Sequence, residues 1–205
     1  MLTQPTLEKL RQMRLIGMAE AFADQLDRPD IHELSFEERL GLLVDHEWTY
    51  RQDRRMARLL REAKLRIPAS LEEIDYHHPR GLDRSVMRSL GTCDWVRRHQ
   101  AILITGPTGS GKTFLACALA NAACRQGFSA RYYRLPKLMT ELAMAKGDGS
   151  YSKLLQKLAR TEVLVLDDWG LATLSESESR ELLEVIEDRT QARSTIVASQ
   201  LPISE

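Results

Sequence analysis

Apolar positions recur with two different periods along this chain. Up to about residue 90 they return every three or four positions, the spacing of amphipathic helices. Leu7, Leu10 and Met13 form one stripe, and Met18, Phe22 and Leu26 form another. Gly17 is the expected break in this region, and Pro29 ends the second stripe. Ser35, followed three positions later by Glu38, predicts a capped helix start. The helical pattern then runs through Leu40, Leu43, Val44 and Trp48 to Leu65, where Pro68 stops it. At about thirty residues it is long for a globular helix, so a break near Trp48 is expected. Ser70 and Glu73 predict a second short cap, and YHHPRGLD, residues 76–83, a linker.

Beyond residue 100 the period changes. Short apolar runs at 101–105, 130–135, 163–166 and 195–198 alternate with helical patterns. Strands separated by helices predict a parallel sheet covered on both faces, an α/β fold. The expected organisation is a small all-α domain over residues 1–75, a linker over 76–90 and a nucleotide-binding domain over 91–205.

The most informative stretch is ITGPTGSGKT, residues 104–113. Gly106, Gly109 and Gly111 lie within six positions, and glycine is costly wherever the backbone does not need it. Together with Pro107, Thr108, Ser110, Lys112 and Thr113 they fit the phosphate-binding loop G-x-x-x-x-G-K-[ST]. An apolar strand precedes the loop and a helical pattern ending at Gly127 follows it. That context argues against a glycine-rich turn that binds nothing. Lys112 would reach the β- and γ-phosphates, and the Thr113 hydroxyl would bind Mg2+. The second informative stretch is TEVLVLDDWG, 161–170, an apolar run ending in two aspartates. Ligands bind at the carboxyl ends of parallel strands, and burying a carboxylate pair there without a cation would be expensive; a strand-end turn with exposed aspartates is the alternative. Asp167 would orient the Mg2+ shell, and Asp168 would position or deprotonate the attacking water. A third strand, in STIVASQLP, ends at Ser199 and Gln200, candidates for contact with the γ-phosphate or the water. An ordinary strand-to-loop transition is the alternative there.

Composition narrows the class. The 205 residues suffice for one domain and a smaller one, and 43% are hydrophobic. The apolar runs are too short to cross a bilayer, and the N-terminal stretch carries charges where a signal peptide needs an apolar block. A cytoplasmic protein without a membrane partner is expected. Three cysteines make no disulfide framework. Cys117 and Cys124 share a helix face as buried small residues, and His77 and His78 read as loop residues. Net charge is zero but segregated: residues 1–50 carry 5 basic and 10 acidic side chains, 51–160 carry 21 and 9, and 161–205 carry 3 and 10. A middle of +12 keeps a nucleic-acid partner in play.

The densest positive stretch is RQDRRMARLLREAKLR, 51–66. On a helix Arg51, Arg54, Arg55, Arg58 and Arg61 fall near one face, a match for a phosphate backbone. A solvated helix face is the alternative. Lys146 and Lys153, further candidate DNA contacts, with Lys157 and Arg160, accompany a KGDGS segment, 146–150, expected to be a flexible basic tip beside the nucleotide site. Residues 76–82 precede the phosphate loop and are the expected adenine neighbourhood.

GPTGSGKT, VLVLDDWG and TIVASQLP, in that order after a helical region containing LEKLRQMRLIGMAEAF, resemble the IstB-like ATP-binding proteins. These are helper ATPases of insertion-sequence transposition, related to DnaC-like helicase loaders within the AAA+ group. The resemblance covers essentially the whole chain. It implies a P-loop AAA+ core, ATP and Mg2+ as cofactors, ATPase activity, homo-oligomeric assembly on double-stranded DNA, and recruitment or activation of a transposase. It assigns phosphate binding to Gly106–Thr113, metal and water handling to Asp167 and Asp168, and the sensor position to Ser199 or Gln200. Many AAA+ proteins have Asp-Glu where this chain has Asp-Asp. The resemblance also implies a further strand, an arginine finger and a small helical element past Glu205, so the C-terminal part of the module is expected to be missing and turnover weak. Arg189 and Arg193, before the sensor strand, are expected to be surface charges or interface residues. The competing readings are a helicase loader, a P-loop small-molecule kinase and a non-hydrolytic scaffold.

Overall fold

The computed structural model describes residues 3–77 and 81–201. The chain divides into two compact units, residues 1–57 and 58–205.

The first unit holds helices α1 (Thr3–Gln12) and α2 (Ile16–Asp27), a 3-10 turn (Pro29–Glu33) and the start of α3 (Phe36–Ala63). The break between the first two helices falls at Arg14, with φ +62, and not at Gly17. Gly17 is inside α2 for a different reason. A Cβ there would lie 2.7 Å from Tyr50 Cβ and 3.1 Å from Glu47 Cα, so its hydrogen lets α2 approach α3. Glu47 is buried at this crossing and accepts from the Met18 N–H at 2.9 Å and from Arg51 Nε at 2.6 Å. The Ser35–Glu38 cap forms as the sequence predicts, with Glu38 N donating to Ser35 Oγ at 3.2 Å and Ser35 N donating to Glu38 Oε2 at 2.7 Å. The expected break near Trp48 is absent. No glycine or proline stands between Gly41 and Pro68, and α3 runs unbroken to Ala63.

The second unit begins in the last turns of α3. Helices α4 (Arg84–Gly91) and α5 (Asp94–Arg97) follow, so a capped helix occupies part of the stretch expected to be a linker. Asp83 caps α4 by accepting from Ser85 N at 2.6 Å. Then come β1 (Ile102–Thr105), α6 (Lys112–Arg125), β2 (Ala130–Arg134), α7 (Leu135–Asp148), α8 (Tyr151–Arg160), β3 (Val163–Trp169), α9 (Glu176–Glu187) and β4 (Ser194–Ser199). The four strands form one parallel sheet in the order β1-β4-β3-β2.

Both faces of the sheet are covered, which explains the continuous apolar run of β3. Val163 and Val165 join one core with α6 and residues of α3, α4 and α5. Leu164 and Leu166 join a second core with α7, α8 and α9. The buried face of α6 is built from small residues, including Ala116, Cys117, Ala120, Ala123 and Cys124. Small side chains let the helix lie close to the sheet, which fixes where its N-terminus points.

Two expectations fail in this unit. The KGDGS segment is not an extended flexible tip: α7 continues through Asp148, and Gly149, at φ +77, turns directly toward α8. Arg189 is not a surface or interface charge, being 1% exposed. Its guanidinium donates to Thr195 Oγ1 at 3.0 Å, to Thr161 O at 2.8 Å, and to the carbonyls of Leu158 and Ser194. Burial lowers its pKa to about 10, and oxygens from α8, the loop before β3, and β4 replace the water it has lost. Arg193 is partly exposed and donates to the Ala192 carbonyl. Among the described residues no helix is long and apolar enough to cross a membrane.

Candidate functional site

The parallel order brings the carboxyl ends of β1, β4 and β3 side by side, and each of the three sequence motifs begins where one of these strands ends. After β1 the chain turns through Gly106, Gly109 and Gly111, at φ +152, +82 and +95. These are left-handed or extended-positive conformations that a side chain disfavours. Gly111 is the N-cap of α6, so the first N–H groups of that helix open into the loop and add its partial positive charge. Lys112 Nζ donates to the carbonyls of Gly106 and Pro107, both at 2.8 Å, and stands at the mouth of the loop.

Thr113, one residue further into α6, donates from Oγ1 to Asp167 Oδ2 at 2.7 Å. Asp167 is 2% exposed. Its Oδ2 also accepts from the Tyr132 hydroxyl at 2.7 Å, and its Oδ1 accepts from the Asp168 N–H at 2.9 Å. Three donors thus compensate a carboxylate that would otherwise be costly to bury. Burial, together with the bond to Asp167, pushes the Tyr132 phenol pKa well up, so it stays a donor. Asp168 adopts φ +60, an unusual conformation for a residue other than glycine. The turn directs its side chain to Arg134 Nε, with which it forms a close ion pair.

The end of β4 completes the arrangement. Gln200 Oε1 accepts from Thr108 Oγ1 of the loop at 2.6 Å. Ser199 Oγ donates to Trp169 O at 3.1 Å and accepts from Leu201 N at 3.0 Å. Ser199 therefore ties the strand end to the segment after Asp168, while Gln200 faces the loop.

Two cavities meet at the start of α6. One, of about 400 Å3, contains Thr108, Lys112, Thr113, Asp167, Asp168 and Gln200, together with Arg66. The other, of about 460 Å3, is largely apolar and is bounded by Ile74, Leu82, Met87, Leu90, Ile104 and Phe114. Gly111, Lys112 and Phe114 line both. The pair is thus a polar chamber and an apolar slot joined through the loop. Of the segment expected near adenine, Gly81 and Leu82 line the slot. Tyr76 instead lies under the Arg84 guanidinium at 4.7 Å, and residues 78–80, including His78, lie outside the described residues.

The donor set fits Mg2+. The Thr113 hydroxyl and the Asp167 carboxylate are hard oxygens in contact in the polar chamber, and Mg2+ is commonly held by one or two such groups with water and substrate phosphates. No group of three or more His, Cys, Asp or Glu that would hold a metal by itself occurs among the described residues.

Sequence reading alone missed Tyr132, Arg134 and Arg66. Arg134 is the register partner of Asp167 in the parallel β2–β3 pair. A strand alignment would have flagged the RYYR segment, whereas Arg66 closes the basic stretch 51–66 and nothing local connects it with the β-strand ends.

The basic residues expected to contact DNA lie on α3, α7 and α8. Arg51, Arg54, Arg55, Arg58 and Arg61 all lie on α3 and are exposed. Arg51 pairs with Glu47, and Arg54 stacks over Tyr50 at 5.8 Å. Lys146 is tied to Glu181 and lies over the Tyr151 ring. Lys153 lines a cleft of about 620 Å3 with Arg131, Lys157, Arg160 and Glu62, beside the edge strand β2.

Comparison with known proteins identifies the family and the fold. Residues 8–205 match the family described as IstB-like ATP binding protein. An ATP-binding protein of insertion sequence IS1162 from Pseudomonas fluorescens is 52% identical over 205 residues, covering 100% of this chain and 89% of the relative. Among solved structures, AMPPCP-bound DnaA from Aquifex aeolicus superposes with a TM-score of 0.61 at 20% identity, over 67% of this chain and 43% of that one. The DnaC helicase loader superposes with a TM-score of 0.56 at 20% identity, over 67% and 80%. At such identity the likeness is one of fold: a P-loop AAA+ core preceded by a helical region.

Proposed function

This chain belongs to the IstB-like ATP-binding proteins, and from that premise we propose that it is an ATP-switched helper of insertion-sequence transposition. ATP lies with its phosphates in the loop Gly106–Thr113 and its base in the apolar slot beside Leu82 and Phe114. Lys112 neutralises the outer phosphates. Thr113 and Asp167 hold Mg2+, which when bound supplies positive charge to the phosphate oxygens. Asp168 orients the attacking water in an ATPase reaction, and its pairing with Arg134 restrains it. Ser199 and Gln200 respond to the terminal phosphate.

The observation that supports this reading most strongly is the meeting of Lys112, Thr113, both aspartates and Gln200 in one chamber, from three separate strand ends. Hydrogen bonds already join the loop to both other strand ends, through Thr108–Gln200 and Thr113–Asp167. A change at the terminal phosphate thus has a direct mechanical path to β3 and β4. In this reading the readout is homo-oligomeric assembly on double-stranded DNA, with the exposed arginines of α3 and Lys153 on the phosphate backbone, followed by delivery of a transposase. The basic middle of the chain, the insertion-sequence relative and the helper-like fold favour it. Fluorescence anisotropy of labelled duplex DNA, measured with ATP, with ADP and without nucleotide, tests it. Tighter binding and larger complexes with ATP are expected. Identical isotherms in all three conditions would count against the switch.

A further inference from the structure

The polar chamber contains a second cation that the phosphate-loop pattern does not supply. Arg66 comes from the segment that follows α3. Lys64, at φ +49, turns the chain out of the helix. Ala69 is buried, and Ile67 packs against the core cluster that includes α6. The backbone of Arg66 and Ile67 lies beside Cys117, one helical turn beyond Thr113. The segment is thereby anchored on α6, and the Arg66 side chain reaches the chamber that contains Lys112, Asp167, Asp168 and Gln200.

Arg66 is ion-paired with both aspartates only at long range. Its Nη1 lies 4.0 Å from Oδ2 of Asp167 and 4.0 Å from Oδ2 of Asp168, too far for a hydrogen bond. Asp167 is served by Thr113, Tyr132 and a backbone N–H, and Asp168 by Arg134. The Tyr132 hydroxyl lies beside the guanidinium and gives its proton to Asp167. The Arg66 side chain keeps 46% exposure, which leaves room to turn. A planar cation with five donors, 4.0 Å from two carboxylates and hydrogen-bonded to neither, suits a phosphoryl group.

Resting on the nucleotide-site reading above, we propose that Arg66 is a cation for the terminal phosphate, supplied within the same chain, and that it lets the protein distinguish a nucleoside triphosphate from a diphosphate. A diphosphate keeps its contacts with the loop and Lys112 and leaves Arg66 beside the aspartates. A triphosphate adds a charged group that Arg66 reaches. Because Arg66 stands three residues after the end of α3, its movement also carries the identity of the nucleotide to the last turns of that helix.

Calorimetric titration of the full chain with Mg-ATP and with Mg-ADP, alongside thermal melting without nucleotide, tests this. In Arg66→Ala, ATP affinity is expected to fall about tenfold or more, the scale of a lost hydrogen bond to a charged group, while ADP affinity stays within about twofold. Arg66→Lys should recover part of the preference, since it keeps the charge but loses the fork. If the alanine variant does not fold, Arg66→Gln gives the same reading, because it keeps a polar stem that can reach Tyr132. A parent-like ratio of ATP to ADP affinity in a folded Arg66→Ala or Arg66→Gln overturns the proposal. So does an equal loss for both nucleotides, with a lowered melting temperature, which would make Arg66 a structural ion-pair residue. Failure of the unsubstituted chain to bind either nucleotide overturns the site reading and this inference together.

Discussion

Gly170 offers a measurable link between the two ends of the site. It follows the Asp167-Asp168-Trp169 strand end and adopts φ +75. A Cβ placed there would lie 2.4 Å from Leu201 Cδ1 and 2.9 Å from Leu201 Cγ. Gly170→Ala therefore incurs two separable costs. The left-handed conformation alone costs an L-residue about 1–2 kcal/mol. Leu201 must also move, and it is 39% exposed, so losing its remaining burial adds about 1 kcal/mol. Leu201 N bonds to Ser199 Oγ, and Gln200 lies between the two, so the displacement reaches the residue that accepts from Thr108. Gly149→Ala is the internal control, because Gly149 has a similar φ of +77 and nothing within 4 Å of its added Cβ. Denaturant unfolding should show a loss of about 2–3 kcal/mol for Gly170→Ala and about 1–2 for Gly149→Ala. The Gly170→Ala/Leu201→Ala double variant should lose less than the two single losses added together, because the clash disappears. Nucleotide affinity should fall in Gly170→Ala and not in Gly149→Ala. If both alanine variants were equally stable and bound nucleotide equally, the coupling of the β3 and β4 ends through Leu201 would be refuted.

Two further outcomes follow from the same structure. The Cys124 thiol is buried against α6's neighbours, and burial pushes its pKa up to about 11 from 9.0. A group whose folded pKa is raised contributes stability that is complete below its unfolded pKa and is lost as pH rises through the folded value. Unfolding free energy should thus decline by about 2–3 kcal/mol between pH 9 and 11 from this group, and Cys124→Ala should flatten the decline; an unchanged slope in the variant would contradict the assignment. Arg54→Ala and Arg58→Ala should each weaken DNA binding without changing sequence preference, and each should reduce the salt slope by about 0.9; gel-shift series indistinguishable from the parent would remove α3 from the DNA surface.

The parts of this protein legible in its sequence are those whose physics is local. The glycine spacing of the loop, the apolar run closing on Asp167 and Asp168, and the Ser35–Glu38 cap each reflect a backbone requirement within a few residues. The alternation of strands and helices conveyed the parallel sheet for the same reason. What escaped depends on contacts made at a distance. Gly17 reads as a break, but its purpose is the approach of Tyr50 from another helix. Arg189 reads as a surface charge because nothing nearby in sequence reveals the four oxygens that solvate it, contributed from residues 158 to 195. Tyr132 and Arg134 enter the site through the register of β2 on β3, and Arg66 through the packing of the segment after α3 on α6. The run of residues 42–67 without glycine or proline did carry the continuity of α3, and length alone was a poor reason to expect a break there.

The central claim is that in the proposed site the loop from Gly106 to Thr113 holds the phosphates of a nucleotide, and Thr113 and Asp167 are the residues that would hold its Mg2+. Calorimetric titration of ATP into the folded chain, with and without Mg2+, and into Lys112→Ala, tests it most directly. Saturable, magnesium-strengthened binding that disappears in Lys112→Ala, with the variant's unfolding transition intact, is the predicted result. Magnesium-independent binding, or equal binding by the parent and the folded variant, would contradict it.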